Sequence, residues 1–369
     1  MSDETYAKRP SWLLPTPARR DEPDAPIDHF FLRALLLRLM RGENLARAEA
    51  GRLLEALLDG NATDAQIAAA LVALAVKGET VEELAGMSEA MRARAVHLHA
   101  RHERFIDTAG TGSSFAKTFN VSTAAAFVIA GAGLPVAKHG SRAATSLSGS
   151  ADVLAALGIK VSTAPQISEW CLNEIGICFM FAPVYHSATA RVVSIRRELG
   201  VHTTFNLLGP LTNPARAPRQ IIGVWHPSLV ELMARTLLEL GIEHAWVVHG
   251  RDGLDEVTLA EETLVAEARE ASVRSFQIKP RDFGFERAAL ENLRGGDTET
   301  NARIIHAVLS GARRDAARSL VIINSAAALY VGGMADTLGA ATRLAEQSID
   351  SGAAYAKLEQ LIKATNSAA

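Results

Sequence analysis

Residues 107–142 have the sequence DTAGTGSSFAKTFNVSTAAAFVIAGAGLPVAKHGSR. A glycine-rich loop opens the stretch, a long alanine-rich helix follows, and a short apolar strand over 135–137 comes next. More Val- and Ile-rich runs alternate with helical segments after Phe105, at 159–161, 220–224, 245–248 and 263–266. Strand and helix in alternation predict a largely parallel sheet with helices on both faces.

The N-terminal part of the chain has a different pattern. Apolar residues recur at helical spacing from about residue 28 to residue 99, as in Leu32, Leu35 and Leu36. Thr63 precedes one helix and Gly78 separates the next two. We therefore predict a small all-helical domain of about four helices over 27–99 and a large α/β domain over 100–369. Residues 1–26 hold five prolines among charged residues and predict a disordered tail.

Composition excludes several classes of protein. The formal net charge is −3, so no global basic field indicates binding to nucleic acid or to an anionic membrane. The apolar stretch over 121–136 contains Ser122 and Gly131 and is too short and too polar to span a bilayer. The two cysteines, Cys171 and Cys178, lie in an apolar segment and predict buried, reduced thiols in a cytoplasmic protein.

The glycine-rich loop is the first motif that suggests chemistry. Gly110 and Gly112 permit backbone conformations that other residues resist, and the helix that follows offers free N–H groups to an anion. Asn120, Ser122 and Thr123 add amide and hydroxyl groups suited to phosphate oxygens or to hydrated magnesium. An ordinary loop with a helix cap explains this motif equally well. It is neither a Walker A loop nor a dinucleotide fingerprint, so ATP and NAD are not the expected ligands.

A second motif, Lys138-His139-Gly140-Ser141-Arg142, follows the short strand and leads into a Ser-rich segment over 146–150. The carboxyl ends of parallel strands line one crevice, so this motif and the glycine-rich loop are expected to face the same cleft. Lys138 and Arg142 would then supply positive charge for a polyphosphate. The alternative is a basic surface loop.

A third motif lies at the end of another apolar strand, over 249–256. Its carboxylates, Asp252, Asp255 and Glu256, are hard oxygen ligands of the kind that Mg²⁺ takes together with water and phosphate. A solvated acidic turn is the alternative reading of this loop.

Taken with 181–186 (FAPVYH), 196–200 (RRELG) and 205–214 (FNLLGPLTNP), these blocks closely resemble the anthranilate phosphoribosyltransferases. The similarity keeps the same order from about residue 31 to residue 361, and includes 61–64, 77–80, 293–296 and Asn324. The resemblance implies a helical domain, joined by a segment near 192–214, and an α/β domain, with the active site in the cleft between them. It also implies transfer of ribose phosphate from phosphoribosyl diphosphate to anthranilate, a step of tryptophan biosynthesis, by a homodimer that associates through the helical domain.

The resemblance also implies roles for individual residues. Phosphoribosyl diphosphate would be bound by residues of the first two motifs: Gly110, Thr111, Gly112, Ser113, Ser114, Thr118, Asn120, Ser122, Thr123, Lys138 and Ser146. Magnesium would be held by Ser122, Asp255 and Glu256. Anthranilate would be bound by Gly110, His139, Ser141, His186, Arg196 and Gly209. No enzyme nucleophile is assigned, because the amine of the acceptor attacks directly.

Several positions depart from the family pattern. Ser113 and Ser114 stand where Gly and Asp are common, Ser141 where Asn is usual, Ser187 for a frequent Pro and His202 for a frequent Arg. These changes bear on the identity of the acceptor and on catalytic efficiency rather than on the fold or the donor. The alternatives are a different aromatic amine as acceptor, or a non-catalytic relative that binds nucleic acid. A pyrimidine nucleoside phosphorylase is disfavoured because its Lys-x-Ser-Thr-Gly-Gly loop is absent.

Overall fold

The computed structural model describes residues 29–112, 116, 118–143 and 148–367. The tail predicted over 1–26 lies outside the described residues, as do three predicted donor contacts, Ser113, Ser114 and Ser146.

Four helices form the N-terminal domain: α1 (His29–Met40), α2 (Arg47–Leu58), α3 (Asp64–Lys77) and α4 (Val81–Ala93). Threonine hydroxyls cap two of them, because Thr63 accepts a hydrogen bond from Gln66 N and Thr80 accepts one from Glu83 N, both at 3.2 Å. Gly78, which the sequence placed between helices, has a φ of 82° and ends α3. The predicted helical domain is confirmed.

Two later helices pack against this bundle. Helix α9 (Ala190–Leu199) contacts α3 and α2, and α10 (Thr204–Leu211) contacts α4 and α3. Buried apolar residues from both, including Val192 and Leu208, lie in the same core cluster as Leu53 and Leu71 of the bundle.

The α/β domain is built on a seven-stranded sheet with the order β3-β2-β1-β4-β5-β6-β7. Its strands are β1 (Ile106–Gly110), β2 (Val136–Gly140), β3 (Ile177–Phe181), β4 (Arg219–Gly223), β5 (His244–Gly250), β6 (Thr263–Arg269) and β7 (Ser272–Ile278). The first five are parallel, and β6 and β7 extend the sheet in antiparallel fashion. The remaining helices are α5 (Val121–Gly131), α6 (Ser150–Ala156), α7 (Pro165–Trp170), α8 (Ala182–Tyr185), α11 (Leu229–Glu239), α12 (Thr298–Leu309), α13 (Ala316–Val331), α14 (Leu338–Asp350) and α15 (Ala353–Ser367).

Both faces of the sheet are covered by helices, as predicted. Ile221 and Trp246 point into a core shared with α5 and α13, whereas Ile222 and Val247 point into the core shared with α11 and the helical domain. Successive residues of a strand face opposite sides of the sheet. A sheet that is covered by helices on both faces therefore needs strands that are apolar at every position.

Two details differ from the strand predictions. Residues 159–161 form no strand: Ile159 and Val161 are buried in the core, and Lys160 N donates to Thr365 Oγ1 of α15 at 3.3 Å. A short apolar run indicates that a segment is buried, but a buried segment can be either a strand or a packed loop. The run over 263–266 is a strand, but it pairs antiparallel with β5, to which the loop over 251–262 connects it without a crossover helix.

The chain changes direction across the sheet between β1 and β4. From β1 it proceeds outward to β2 and β3, and after β4 it proceeds to β5 on the other side. The strands end side by side, with Gly110 paired to Gly223, and Thr111 N donates to Gly223 O at 2.9 Å. Ligands of open α/β sheets bind in the crevice at such a switch point. None of the described helices is both long and apolar enough to cross a membrane.

Candidate active site

The glycine-rich loop lies at this switch point. A Cβ on Gly110 would lie 3.6 Å from Gly223 O and 3.7 Å from Asp255 Oδ2, both ordinary contact distances, so the loop backbone lies next to the third motif. Gly112 has a φ of 68°, which favours glycine. The buried hydroxyl of Thr111 donates to Gly223 O and accepts from Trp225 N, both at 3.2 Å. These bonds fix the start of the loop to the end of β4.

The ring of Trp225 carries a second contact. It stacks on His202, with the ring centroids 4.4 Å apart and the planes 25° from parallel. His202 precedes α10, so the stack joins the segment that packs on the helical domain to the residue that holds Thr111.

The N-terminus of α5 brings the predicted Asn120, Ser122 and Thr123 to the loop. Asn120 is already engaged, since its Nδ2 donates to Ser148 O at 3.1 Å and its Oδ1 accepts from Asn301 Nδ2 at 3.2 Å. The buried hydroxyl of Thr123 has no hydrogen-bond partner in the described part of the chain. Such a group is expected to gain a partner when a polar ligand binds.

Thr118 lies beside the loop in a short antiparallel bridge with Arg294, and its hydroxyl donates to Phe119 O at 2.8 Å. The hydroxyl of Thr118, which was predicted to contact phosphoribosyl diphosphate, therefore donates to the neighbouring backbone carbonyl in this structure.

Lys138 is buried beneath the loop. Its Nζ donates to Thr108 O, to Thr108 Oγ1 at 3.3 Å and to Ser122 Oγ at 3.4 Å. Burial lowers the pKa of Lys138, while the carboxylates of Asp107 and Glu256 act in the opposite direction. The structure thus places this side chain next to Ser122.

Glu256 faces the same hydroxyl-bearing residue from the third motif. Its Oε1 accepts from Ser122 N at 3.3 Å. Burial, and then the neighbouring Asp255 carboxylate, raise the pKa of Glu256 to about 8. Asn324 of α13 braces this loop, because it accepts from Val257 N and donates to Val257 O, both at 2.9 Å.

The donor set at this point fits a magnesium ion. In the described residues, no group of three His, Cys, Asp or Glu side chains could hold a metal by itself. Two carboxylates and the Ser122 hydroxyl are, however, the oxygen ligands that Mg²⁺ combines with water and phosphate oxygens. A carboxylate whose pKa is raised by burial and by a neighbouring like charge is also one whose ionised form a cation would stabilise. Asp252 does not join them, since it accepts from Leu254 N and the Thr258 hydroxyl within its own loop.

Helix α10 and its two ends contact the predicted acceptor residues. Thr203 and Asn206, at the N-terminal end, contact Arg196, whereas Gly209 and Thr212, at the C-terminal end, contact the two histidines. Gly209 O lies 3.1 Å from His139 Nδ1, and Thr212 O lies 3.1 Å from His186 Nε2.

The two histidine rings lie close together, with centroids 5.1 Å apart. Burial lowers the pKa of His139 to about 3 and that of His186 to about 4, so both are neutral at pH 7. A carbonyl oxygen can only accept, so His139 donates through Nδ1 and its Nε2 keeps a lone pair. That Nε2 is buried and has no partner among the described residues.

Arg196 contacts the N-terminal end of α10. Its Nε donates to Thr203 Oγ1 and its Nη2 to Asn206 Oδ1, both at 3.1 Å, and its guanidinium lies 5.6 Å from the Phe205 ring centroid. These described partners are all neutral. Burial lowers the pKa of Arg196.

Two side chains of the loop after β2 are exposed. Ser141 is exposed and its hydroxyl donates to Arg142 O at 3.1 Å. Arg142 is exposed and pairs with Asp152 of α6 at 2.8 Å, so its charge is engaged there rather than offered to a polyphosphate.

Three residues of the site were not assigned from the sequence. Asp107 and Asn213 bond to each other below the cleft, and Asn301 holds Asn120 and accepts from Gly296 N at 2.8 Å. Asp107 opens the first motif and Asn213 closes the block over 205–214, but their pairing spans 106 positions.

Comparison with known proteins follows the same division of the chain. Residues 33–95 match the helical bundle domain of a glycosyl transferase family, and residues 102–355 match the a/b domain of that family. An anthranilate phosphoribosyltransferase of Moorella thermoacetica is 50% identical over 331 residues, which cover 90% of this chain and 97% of the relative. The chain belongs to the anthranilate phosphoribosyltransferase family.

Solved structures of this family share the fold. The anthranilate phosphoribosyltransferase of Thermus thermophilus is 38% identical, with a TM-score of 0.84, and the match covers 90% of this chain and 99% of that one. The Saccharomyces cerevisiae anthranilate phosphoribosyltransferase, in complex with PRPP (phosphoribosyl diphosphate) and Mg, is 28% identical with a TM-score of 0.84, covering 92% and 99%.

Proposed function

We propose that the chain transfers the 5-phosphoribosyl group of phosphoribosyl diphosphate to anthranilate, giving N-(5-phosphoribosyl)anthranilate and diphosphate, a step of tryptophan biosynthesis. The main support is the meeting of two polar surfaces at one crevice. The glycine-rich loop with Ser122, Lys138 and Glu256 forms one surface, and α10 with Arg196, His139 and His186 forms the other. Membership of the family supports the same reaction.

The donor is proposed to lie on the glycine-rich loop and the N-terminus of α5. Backbone N–H groups there, the hydroxyl of Thr123 and the charge of Lys138 suit the oxygens of a diphosphate. Asp255, Glu256 and Ser122 are proposed to hold Mg²⁺, which would neutralise the charge that develops on the diphosphate. Together these groups favour loss of the leaving group from the anomeric carbon.

The acceptor is proposed to lie against α10. Arg196 would bind the anthranilate carboxylate, for which a guanidinium offers a planar, charge-assisted contact. The neutral His139 would accept a hydrogen bond from the amine through its free Nε2, and so direct the nitrogen lone pair toward the sugar. Positioning of this kind supplies much of the rate when a neutral amine is the nucleophile.

The test is turnover with phosphoribosyl diphosphate and a panel of aromatic amines, following diphosphate release with and without Mg²⁺. We expect anthranilate to be the best acceptor and activity to require the metal. The Asp255→Ala/Glu256→Ala variant should lose turnover while keeping its circular dichroism spectrum, and Glu261→Ala, which removes a surface carboxylate paired with Arg287, should remain active.

Two results would count against the proposal. Faster turnover of another amine would show that the acceptor is wrong although the transfer is right. Full activity of the double variant would show that the metal lies elsewhere.

A further inference from the structure

A buried pair, Asp107 and Asn213, lies below the cleft, where Asp107 contacts the backbone of His139. Asp107 is fully buried in β1, and Asn213 is 1% exposed just after α10. Asp107 Oδ2 accepts from Asn213 Nδ2 at 2.7 Å, and its Oδ1 accepts from His139 N at 3.2 Å. One carboxylate therefore ties β1 to β2 and to the end of α10.

Asn213 uses its remaining hydrogen-bonding groups nearby. Its Nδ2 also donates to Ala137 O at 2.9 Å, and its Oδ1 accepts from Ala215 N at 2.9 Å. Only this amide orientation satisfies the two acceptors and the donor around it. The side chain therefore locks the end of α10 against the strand that carries His139.

The two carbonyls that orient the histidines lie at this end of α10. Thr212, which contacts His186, directly precedes Asn213, and Gly209, which contacts His139, lies one turn earlier. We propose that Asp107 and Asn213 are positioning residues for the acceptor: they set the place of α10 relative to β2 and thereby fix both imidazole rings. This inference rests on the proposed function.

The donor side is expected to depend less on this contact. The glycine-rich loop is held by the pairing of β1 with β4 and by Thr111, none of which uses Asn213. Asn213 is also uncharged, so replacing it leaves the Asp107 carboxylate near Lys138 in place. Asp107→Asn would instead remove a charge that acts on Lys138, and would disturb both substrates.

The experiment measures steady-state kinetics with each substrate varied in turn for Asn213→Ala, Asp107→Asn and the double variant. We expect Asn213→Ala to reduce kcat/KM for anthranilate by about ten-fold or more, since small misplacements of reacting groups are costly, with KM for phosphoribosyl diphosphate within about two-fold of wild type. In the double variant, the added effect of Asn213→Ala on anthranilate should be smaller than in the wild-type background, because the contact shared with Asp107 is already weakened. Glu267→Gln, which alters a buried carboxylate away from the cleft, is the matched control and should leave KM for anthranilate unchanged.

Equal losses for both substrates, additive effects in the double variant, or unchanged kinetics of Asn213→Ala would overturn the inference. If Asn213→Ala does not fold, Asn213→Ser, which keeps a hydroxyl donor, replaces it in the same set of single and double variants. Wild-type protein without activity on anthranilate would instead overturn the proposed function, so the two failures are distinguishable.

Discussion

The guanidinium of Arg196 is charged, but the two atoms that accept its hydrogen bonds in the described structure, Thr203 Oγ1 and Asn206 Oδ1, are neutral oxygens. A guanidinium paired with a carboxylate on a helix surface would already be neutralised. Here the side chain is partly buried and oriented by α10, and its charge is not matched by any acidic side chain in the described structure. That arrangement favours recognition of an anionic ligand group.

We expect Arg196→Ala to raise the barrier measured by kcat/KM for anthranilate by about 2 kcal/mol, because a charge-assisted contact is lost. Affinity for phosphoribosyl diphosphate should stay close to wild type. Arg197→Ala removes the neighbouring, exposed arginine and is the control. A loss confined to the donor, or none at all, would place the acceptor anchor elsewhere.

Among the secondary-structure elements, the antiparallel strands of the sheet are held together by Glu267. Its Oε1 lies 2.9 Å from His244 Nε2 and accepts from Trp246 Nε1 at 3.0 Å, and its Oε2 accepts from Arg274 at 3.2 Å. The hydrogen bond with His244 first, and that with Trp246 next, hold the pKa of Glu267 at about 2. A carboxylate depressed in this way stabilises the fold above pH ~4.5, and the contribution is lost as the pH falls toward 2.

Glu267→Gln should therefore lower the free energy of unfolding at pH 7 by on the order of 2 to 3 kcal/mol, since the buried donors lose a charged acceptor. The difference from wild type should shrink as the pH falls from ~4.5 toward 2, because the wild-type carboxylate is then protonated. Urea denaturation at both ends of this range measures it. Glu261→Gln, on the surface, should show little effect at either pH, and a difference for Glu267→Gln that does not vary with pH would contradict the assignment.

Short sequence patterns predicted the helices and strands well, but they predicted poorly which residues contact each other. Thr63 and Gly78 act within a few residues, so the helical bundle could be predicted from spacing and caps. Residues 159–161 could not be separated from a strand, because burial in a loop and burial in a sheet select the same apolar side chains. The contacts of Asp107 with Asn213 and of Asn120 with Asn301 join residues 106 and 181 positions apart, and no local pattern encodes them.

For the molecule as a whole, the helical domain exposes an apolar surface. Phe30 of α1 is 77% exposed and Val76 of α3 is 83% exposed, and Val72 and Val193 are exposed on α3 and α9. Helix α3 contacts both α1 and α9, so these side chains lie on neighbouring helices. Apolar surface of this kind is typical of an interface between subunits.

We expect a homodimer in light scattering at micromolar concentration, formed through this surface. Val72→Glu/Val76→Glu should give a folded monomer, because two charges would be buried in the interface without partners. Trp170→Glu, at an exposed aromatic residue on α7, should stay dimeric. A wild-type monomer at the same concentration would rule out this assembly.

The stacking of His202 on Trp225 has an optical consequence. Indole emission responds to its surroundings, and the ring of Trp225 stacks on His202 while the backbone N–H of the same residue donates to Thr111 of the glycine-rich loop. Trp246 is buried in the sheet core and Trp170 is exposed on α7, so neither shares that environment. Trp225 is therefore a built-in fluorophore at the junction of loop and helical domain, and Trp225→Phe supplies the background spectrum against which its signal can be read during turnover.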